Sequence, residues 1–427
     1  MLGVHYGRVS LGHSPPRSRT FATQQRRLRR TVNETLLFAN YRFGRDDVVH
    51  VIQTRFMQQQ PRLLELGLAR LRIFEAFCLP TLRQQTSGSF LWIIRTDPDL
   101  DETIRQPLVE ALEGNDNYLL VASNNNPEGY LREASVGIDE DQIWSGSYGL
   151  LLHFYEAAKT RVYIETRLDA DDGLHGTFVH HLQQQSSLVV HSEPTNHGSW
   201  LVLCASTHLE WQYNSPFAQA DPNNPYGYLV GVRYPGCVTP GLTMVYGTRV
   251  VRDQLPKGRH TVLHKSMVPC PHKNATNCLR RLETLLPGAL RARTPTSAGM
   301  HNVVVSAPPA SNDTEATTNA SRDEDNAEEE EQQQQQKQQK DLNLAAYRRV
   351  EYQGQIQSDL WDGVEVVFGV NRTVAADARQ YLVQHLAGIA ADNLAGQCTK
   401  GHSCKSSTKD ILQYIVRQHQ ATQQDKE

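Results

Sequence analysis

The stretch Arg161-Val-Tyr-Ile-Glu-Thr-Arg-Leu168 runs directly into Asp169-Ala-Asp-Asp172, and this junction decides the fold. The first part is rich in β-branched and aromatic residues, which predicts a buried β-strand. The second part places three carboxylates in a turn where that strand reaches the surface. Because open α/β sheets bind ligands at the carboxyl ends of their strands, the junction predicts a ligand site at this turn.

Upstream of this junction, apolar runs of strand length alternate with stretches of helical periodicity. The predicted strands are Val48–Thr54, Phe90–Ile94, Tyr118–Ala122 and Val162–Leu168. The predicted helices are Leu63–Phe77 (begun by Pro61 and stopped by Pro80), Ile104–Leu112, Tyr148–Ala158 and Thr177–Gln185. Alternation of this kind is typical of right-handed βαβ crossovers. We therefore predict an α/β fold with a mostly parallel central sheet flanked by helices.

The rest of the chain has a different pattern. Shorter strands are predicted at Leu188–His191, Trp200–Leu203, Glu210–Tyr213 and Thr243–Tyr246. Acidic residues and a glutamine run crowd the stretch 301–340, a composition that cannot bury a core. The predicted organisation is a flexible basic arm at 1–45, a main domain at 46–300, a disordered linker at 301–340 and a helical segment at 341–427.

Composition excludes some partners and leaves the compartment open. A net charge of −3 gives no case for nucleic-acid binding, and no apolar run is long enough for a predicted membrane span. Five Asn-X-Ser/Thr sequons and the local pairs Cys270/Cys278 and Cys398/Cys404 fit a secretory lumen such as the Golgi. The arginine-rich start, by contrast, fits an organelle transit peptide.

The acidic turn suits Mg²⁺ or Mn²⁺, which prefer oxygen ligands and often use one or two carboxylates together with substrate phosphates. A calcium loop of the EF-hand type is excluded, because counting from Asp169 the twelfth residue is His180 rather than glutamate. A haloacid-type phosphatase motif fits poorly, since Gly173-Leu174 stands where Gly-Thr is needed. The structural alternative is a helix start that carries acids to complement its dipole.

Four elements in order resemble the rhamnosyltransferase family of GT-A glycosyltransferases, over roughly residues 46–290. They are Gln53–Phe56, Arg72–Leu82, Gln85-Thr86 with Phe90–Trp92, and Thr166–Asp172. The resemblance implies a GT-A, Rossmann-like sheet. It also implies a metal, Mn²⁺ or Mg²⁺, held by the Asp-X-Asp turn against the diphosphate of a nucleotide-sugar donor. The acceptor would be a hydroxyl of an unidentified glycan, lipid or protein.

The resemblance also suggests roles for individual residues. Asp171 and Asp172 are the expected metal ligands, and Asp169 is expected to reach the metal, the ribose or the sugar. Thr54 and Arg55 end the first strand, where the base and ribose bind in GT-A proteins. A late histidine often completes the metal site, and His264 is the candidate, with His260 and His272 as competitors.

Other candidates follow from position along the chain. Arg72, Asp97 and Arg167 are candidate nucleotide-sugar contacts, although Arg72 also reads as a surface arginine and Asp97 as a turn residue. An inverting transferase needs a base near the acceptor hydroxyl, and the candidates that follow the acidic turn are Glu193, Glu210 and Asp221. Two other functions remain open, namely a binding or scaffold protein without turnover and a metal-dependent phosphohydrolase.

Overall fold

The computed structural model describes most of one compact unit, Arg42–Glu427. The described residues are 48–124, 137–192, 198–213, 225–233, 237, 240–250, 255–256, 267–283, 287–296, 348–349, 357–397, 413, 415–417 and 420. The predicted basic arm and the predicted disordered linker lie outside them, so the predicted domain boundaries stay predictions.

Two β-sheets form the centre of this unit. The strands in chain order are β1 Val48–Arg55, β2 Leu91–Thr96, β3 Tyr118–Ala122, β4 Ile143–Ser145, β5 Val162–Arg167, β6 Asp172–Leu174, β7 Trp200–Ala205, β8 Thr207–Gln212, β9 Tyr228–Arg233, β10 Leu242–Tyr246, β11 Cys278–Leu282, β12 Ala289–Arg293 and β13 Arg348–Arg349. The larger sheet has eight strands in the order β11-β7-β10-β5-β1-β2-β3-β4, and the smaller has five in the order β13-β9-β8-β12-β6.

The middle of the larger sheet is parallel, as the sequence predicts. Strands β5, β1, β2 and β3 pair side by side in the same direction. Strand β10 is antiparallel to both β5 and β7, and β4 is antiparallel to β3. The predicted α/β class with a large central sheet flanked by helices is confirmed, and the antiparallel strands make the sheet mixed.

The helices in chain order are α1 Leu64–Ile73, α2 Leu79–Arg83, α3 Glu102–Leu112, α4 Tyr148–Ala158, α5 Phe178–Gln185, α6 Ser187–Ser192, α7 Gln357–Phe368, α8 Arg372–Gln384 and α9 Leu386–Gln397. A π-helical turn, Phe74–Cys78, joins α1 to α2. The predicted stop at Pro80 is wrong, because the chain stays helical through the π-helical turn into α2, whose first turn contains Pro80.

One predicted strand is also wrong. Residues 188–191 belong to helix α6, where the backbone N–H groups of Val189 and Val190 both donate to the carbonyl of Ser186. A short apolar run does not distinguish a buried helix from a buried strand by periodicity alone. Here the run directly follows α5, and the chain stays helical.

The C-terminal helices pack against α1 rather than standing apart. The Leu66 N–H donates to Asp392 Oδ2 at 3.1 Å, and Asn393 Nδ2 donates to the Pro295 carbonyl at 2.6 Å. Trp361, Phe368 and Leu382 are buried in the same core as α1 and the larger sheet. Among the described residues, no helix has the length and apolar character needed to cross a membrane.

Two disulfides join described cysteines. Cys270–Cys278 is the local pair that the sequence predicts, with the Cα atoms 5.0 Å apart. Cys204–Cys237 bridges a separation of 33 residues that spacing alone does not indicate. The predicted pair Cys398/Cys404 lies outside the described residues.

Candidate functional site

The acidic turn connects the two sheets. Strand β5 ends at Arg167, the Leu168 N–H still donates to the Gln53 carbonyl of β1 at 3.0 Å, and the Asp172 N–H closes the turn on the Asp169 carbonyl at 3.1 Å. Asp172 then begins β6, which pairs with β12 in the smaller sheet. The turn is therefore held at both ends by sheet hydrogen bonds, at the carboxyl end of a central parallel strand.

The three aspartates of this turn, Asp169, Asp171 and Asp172, converge. One carboxylate oxygen from each lies within 4.8 Å of the others. Their burial is graded, with Asp169 exposed, Asp171 half-buried and Asp172 buried. Hard oxygen donors at this separation fit Mg²⁺ or Mn²⁺, and the exposed side leaves room for a ligand that approaches from solvent. We call these three residues the aspartate cluster.

Electrostatics in the cluster favour a bound cation. Burial, together with the neighbouring charge of Asp169, raises the pKa of Asp171 to about 6. Burial and the charge of Asp171 also raise the pKa of Asp172 well above its usual range. Three carboxylates this close repel one another. A bound divalent cation would offset this repulsion, as protonation does when no cation is bound.

Arg70 on α1 is the cation that faces the cluster from the helix side. Burial lowers its pKa, while the charges of Asp171 and Asp169 oppose that shift. Its Nη1 donates to Gln60 Oε1 at 2.6 Å, and its Nη2 donates to the Thr296 carbonyl at 2.9 Å. These contacts fix Arg70 between the loop after β1 and the chain after β12. Its positive charge there partly offsets the negative charge of the aspartate cluster.

Arg72 is the arginine of α1 that the sequence predicts as a nucleotide-sugar contact, but the arginine that interacts with the aspartate cluster is Arg70. Arg72 is exposed and pairs with Glu75 at 3.5 Å, which agrees with the alternative prediction that Arg72 is a surface arginine. Helical periodicity places Arg70 on the apolar stripe of α1, because Arg70 is four residues from both Leu66 and Phe74. A single arginine on a buried stripe is costly unless a charge faces it.

The arginines at the strand ends lie beside Asp169. Arg55 is exposed at the end of β1, and its pKa is lowered by partial burial and by Arg167, while Asp169 opposes that shift. Gln53 pairs with Arg167 in the parallel register, so both arginines occupy the same edge of the sheet. Two guanidinium groups near the exposed aspartate form a suitable surface for a phosphate.

Thr54 and Asp97 are both engaged inside the fold. Thr54 is 2% exposed, and its hydroxyl accepts a hydrogen bond from Trp92 Nε1 at 2.8 Å. The carboxylate of Asp97 accepts from the backbone N–H groups of Asp99 at 2.9 Å and Gln59 at 3.0 Å. These contacts give Thr54 a packing role and Asp97 the turn-supporting role that the sequence leaves open. Their nucleotide contacts stay predictions.

Glu210 is engaged in a buried ion pair. Its Oε1 accepts from Arg293 Nη2 at 2.6 Å and Nε at 2.9 Å, and it lies 3.2 Å from His208 Nε2. Burial opposes ionisation, but the His208 hydrogen bond and the Arg293 charge outweigh it and lower the pKa of Glu210 to about 2. A carboxylate this acidic is a weak proton acceptor. The other base candidates, Glu193 and Asp221, and the histidine candidates His264 and His260 lie outside the described residues, whereas His272 is exposed on a surface turn.

A row of alternating charges extends from the cluster across the smaller sheet. Arg291 on β12 pairs in register with Asp172 on β6 and with Glu210 on β8. Its Nε lies 3.9 Å from Asp172 Oδ1. Burial lowers the pKa of Arg291, but the charges of Asp172 and Glu210 outweigh it and raise the pKa overall. Local sequence does not predict this row of charges, because residues from three distant segments form it.

Gly173 lets the cluster approach the helical layer. A Cβ at this position would lie 2.7 Å from Thr81 Cγ2 and 3.2 Å from the Phe77 carbonyl oxygen.

We expect Gly173→Ala to destabilise the fold by about 1–3 kcal/mol, because the turn and the helix must move apart. Urea unfolding measures this change. The matched control is Gly88→Ala, where the new methyl group meets nothing within 4 Å. Equal stability of the two variants would contradict the close packing described here.

The comparisons with known proteins agree with part of this description. The family described as "Putative rhamnosyl transferase" matches residues 53–142, from the end of β1 to the residue before β4. The match agrees with the resemblance predicted from the sequence over these residues. The match covers less than half of the chain and ends before the aspartate cluster.

A crystal structure of S. aureus TarS 1–349 is also similar, with 12% sequence identity and a TM-score of 0.26. The similarity covers 59% of this chain and 63% of that chain, so this chain spans less than two thirds of the TarS structure. A likeness at this level carries no weight in the functional argument. A search of curated proteins finds no match.

Proposed function

We propose that the protein is a metal-dependent glycosyltransferase that moves a sugar from a nucleotide-sugar donor to a hydroxyl acceptor. The observation that carries the proposal is the convergence of Asp169, Asp171 and Asp172 at the carboxyl end of β5. The matched family segment at 53–142 supports it, because that segment supplies the neighbouring strands β2 and β3 and the end of β1. The family description makes rhamnose the first sugar to test, followed by other hexoses.

In this proposal each part of the site has a separate role. Asp171 and Asp172 hold Mn²⁺ or Mg²⁺, and Asp169 reaches the metal, the ribose or the sugar from the exposed side. When bound, the metal stabilises negative charge on the leaving diphosphate. Arg55 and Arg167 bind a phosphate at the same edge of the sheet. The positive charges of Arg70 and Arg291 partly offset the negative charge of Asp171, and Arg291 does the same for Asp172.

Metal binding should depend on pH. Because the pKa of Asp171 is raised to about 6, the metal-free cluster gains a proton as pH falls through that value. A metal must then displace protons from Asp171 and Asp172, so we expect apparent Mn²⁺ affinity to fall at least about tenfold per pH unit below that pKa. Calorimetric titration at pH 5, 6 and 7.5 measures this. Affinity that stays constant over the range would contradict the raised pKa.

The same pKa shift has a defined sign for stability. A carboxyl whose pKa is raised on folding binds its proton more tightly in the folded state, so it costs stability above about pH 6. That cost disappears as pH falls towards the unfolded pKa. The metal-free protein should therefore gain stability from this group on mild acidification, and bound Mn²⁺ should remove the gain.

A donor panel tests the proposed activity directly. Purified protein is incubated with nucleotide-activated rhamnose and other hexoses, in Mn²⁺, in Mg²⁺ and in a chelator, and free nucleoside diphosphate is measured. Metal-dependent release from at least one donor supports the proposal. Release of inorganic phosphate without sugar transfer would instead indicate a phosphohydrolase. A complete lack of turnover, with no thermal stabilisation by metal plus nucleoside diphosphate, would favour the scaffold alternative.

A further inference from the structure

The sequon Asn274-Ala275-Thr276 lies on an exposed turn that precedes β11. The side chain of Asn274 is in the exposed class, and the Ala275 N–H donates to the His272 carbonyl at 3.1 Å to close the turn. Asparagine in Asn-X-Ser/Thr is the acceptor for N-linked glycans, which are bulky and need a surface position. The turn offers that position within the folded protein.

The base of this turn is fixed on both sides. The disulfide Cys270–Cys278 closes the loop that contains Asn274. Asn277 exchanges hydrogen bonds with Trp200, its N–H donating to the Trp200 carbonyl at 2.6 Å and its Oδ1 accepting from the Trp200 N–H at 2.9 Å. Arg280 Nη2 donates to the Ala275 carbonyl at 3.1 Å. A group attached to Asn274 would therefore project from a rigid loop and would not displace the fold.

The turn lies away from the aspartate cluster. Strand β11 is the edge strand of the larger sheet, and it runs in the same direction as β5, because β7 and β5 are both antiparallel to β10. Asn274 precedes β11, whereas the aspartate cluster follows β5. The two therefore lie at opposite ends of the strands, so a glycan on Asn274 leaves the aspartate cluster open.

The disulfides indicate an environment in which this modification occurs. Disulfides such as Cys204–Cys237 and Cys270–Cys278 form and persist mainly under oxidising conditions, such as those of the secretory lumen. Asn371 begins the second sequon within the described residues, but its Oδ1 caps α8 by accepting from the Thr373 N–H at 2.8 Å. Thr373 lies within α8, so the Asn371 side chain serves as the N-cap of that helix.

We infer that Asn274 is a site of N-linked glycosylation. The co-substrate is an oligosaccharide joined to a lipid through a diphosphate. A bond forms between Asn274 Nδ2 and C1 of the first sugar, and the bond from C1 to the diphosphate oxygen breaks. The lipid diphosphate leaves with the electron pair, and the amide nitrogen gives up one proton to the transferring enzyme. This inference is independent of the sugar-transfer activity proposed above.

Peptide mass spectrometry of the native protein tests the inference. The full chain is purified from the cells that make it, digested, and treated with a glycan-releasing amidase in heavy-oxygen water. Modification predicts a glycopeptide that contains Asn274 and is converted by release into a peptide with heavy-oxygen aspartate at that position. An unmodified Asn274 peptide as the main species would overturn the inference.

A matched pair of variants gives a second readout in the same cells. Thr276→Ala removes the sequon, and it should lose the mass of one glycan on a denaturing gel. Thr276→Ser keeps the sequon and should migrate as the unchanged protein does. Because both substitutions alter the same side chain, a folding defect alone does not separate them. Identical migration of the two variants and the unchanged protein would overturn the inference.

Discussion

Asp171→Asn is expected to reduce metal-dependent sugar transfer about 100-fold or more, a loss of at least about 2.7 kcal/mol of transition-state stabilisation. One carboxylate oxygen of Asp171 lies within 4.8 Å of an oxygen from Asp169 and an oxygen from Asp172. Asparagine keeps the shape but removes the charge that a divalent cation needs. The kcat of transfer at saturating donor measures the effect, with Mn²⁺ varied to separate weaker binding from slower chemistry.

The matched control for this variant is Asp99→Asn. Asp99 is exposed, lies in the loop after β2, and is outside the aspartate cluster. Asp99→Asn makes the same change of charge and volume as Asp171→Asn. Because Asp99 is on the surface, the Asp99→Asn protein should retain sugar transfer within about twofold of the unchanged protein. If Asp171→Asn and Asp99→Asn have the same kcat and the same Mn²⁺ dependence, the aspartate cluster is not the metal site.

Glu210→Gln is expected to lower the free energy of unfolding by about 3–5 kcal/mol, the usual cost of removing one partner from a buried ion pair. Glu210 is 3% exposed, and the Arg293 guanidinium donates two hydrogen bonds to its Oε1. Arg291, the register partner of Glu210 on β12, also interacts electrostatically with it. Removing the carboxylate charge leaves these buried guanidinium groups undercompensated. Urea denaturation measures the change.

Glu156→Gln provides a control with identical chemistry on the surface. Glu156 pairs with Lys159 at 2.6 Å, and its side chain is 65% exposed. Exposed pairs of this kind contribute little, so its unfolding midpoint should match that of the unchanged protein. A Glu210→Gln protein as stable as the Glu156→Gln control would contradict the description of a buried charge row that supports Asp172.

The parallel centre of the sheet was predictable because local pattern and tertiary role agree there. The predicted strand Val48–Thr54 corresponds to β1 Val48–Arg55, and the predicted Tyr118–Ala122 corresponds to β3. These strands are buried on both faces, and such strands read as short apolar runs between turns. The acidic turn was also predictable from local sequence, because its three carboxylates directly follow a buried strand.

Features that depend on distant pairing were not predictable. Nothing local marks Asp172, Arg291 and Glu210 as neighbours, because their contact arises from the register of three strands in the smaller sheet. The Cys204–Cys237 bridge is hidden by its separation in sequence. Arg70 differs, because its place on the apolar stripe of α1 is evident from the sequence, whereas the acidic charges that act on it come from the distant turn at Asp169 and Asp171.

The most direct test of the central claim is a crystal structure of the protein with Mn²⁺ and a nucleoside diphosphate, recorded with anomalous scattering from manganese. The account predicts one anomalous peak within coordination distance of carboxylate oxygens of the aspartate cluster, with the diphosphate on its solvent side. Manganese bound elsewhere, or a diphosphate bound away from Asp169, Asp171 and Asp172, would contradict it.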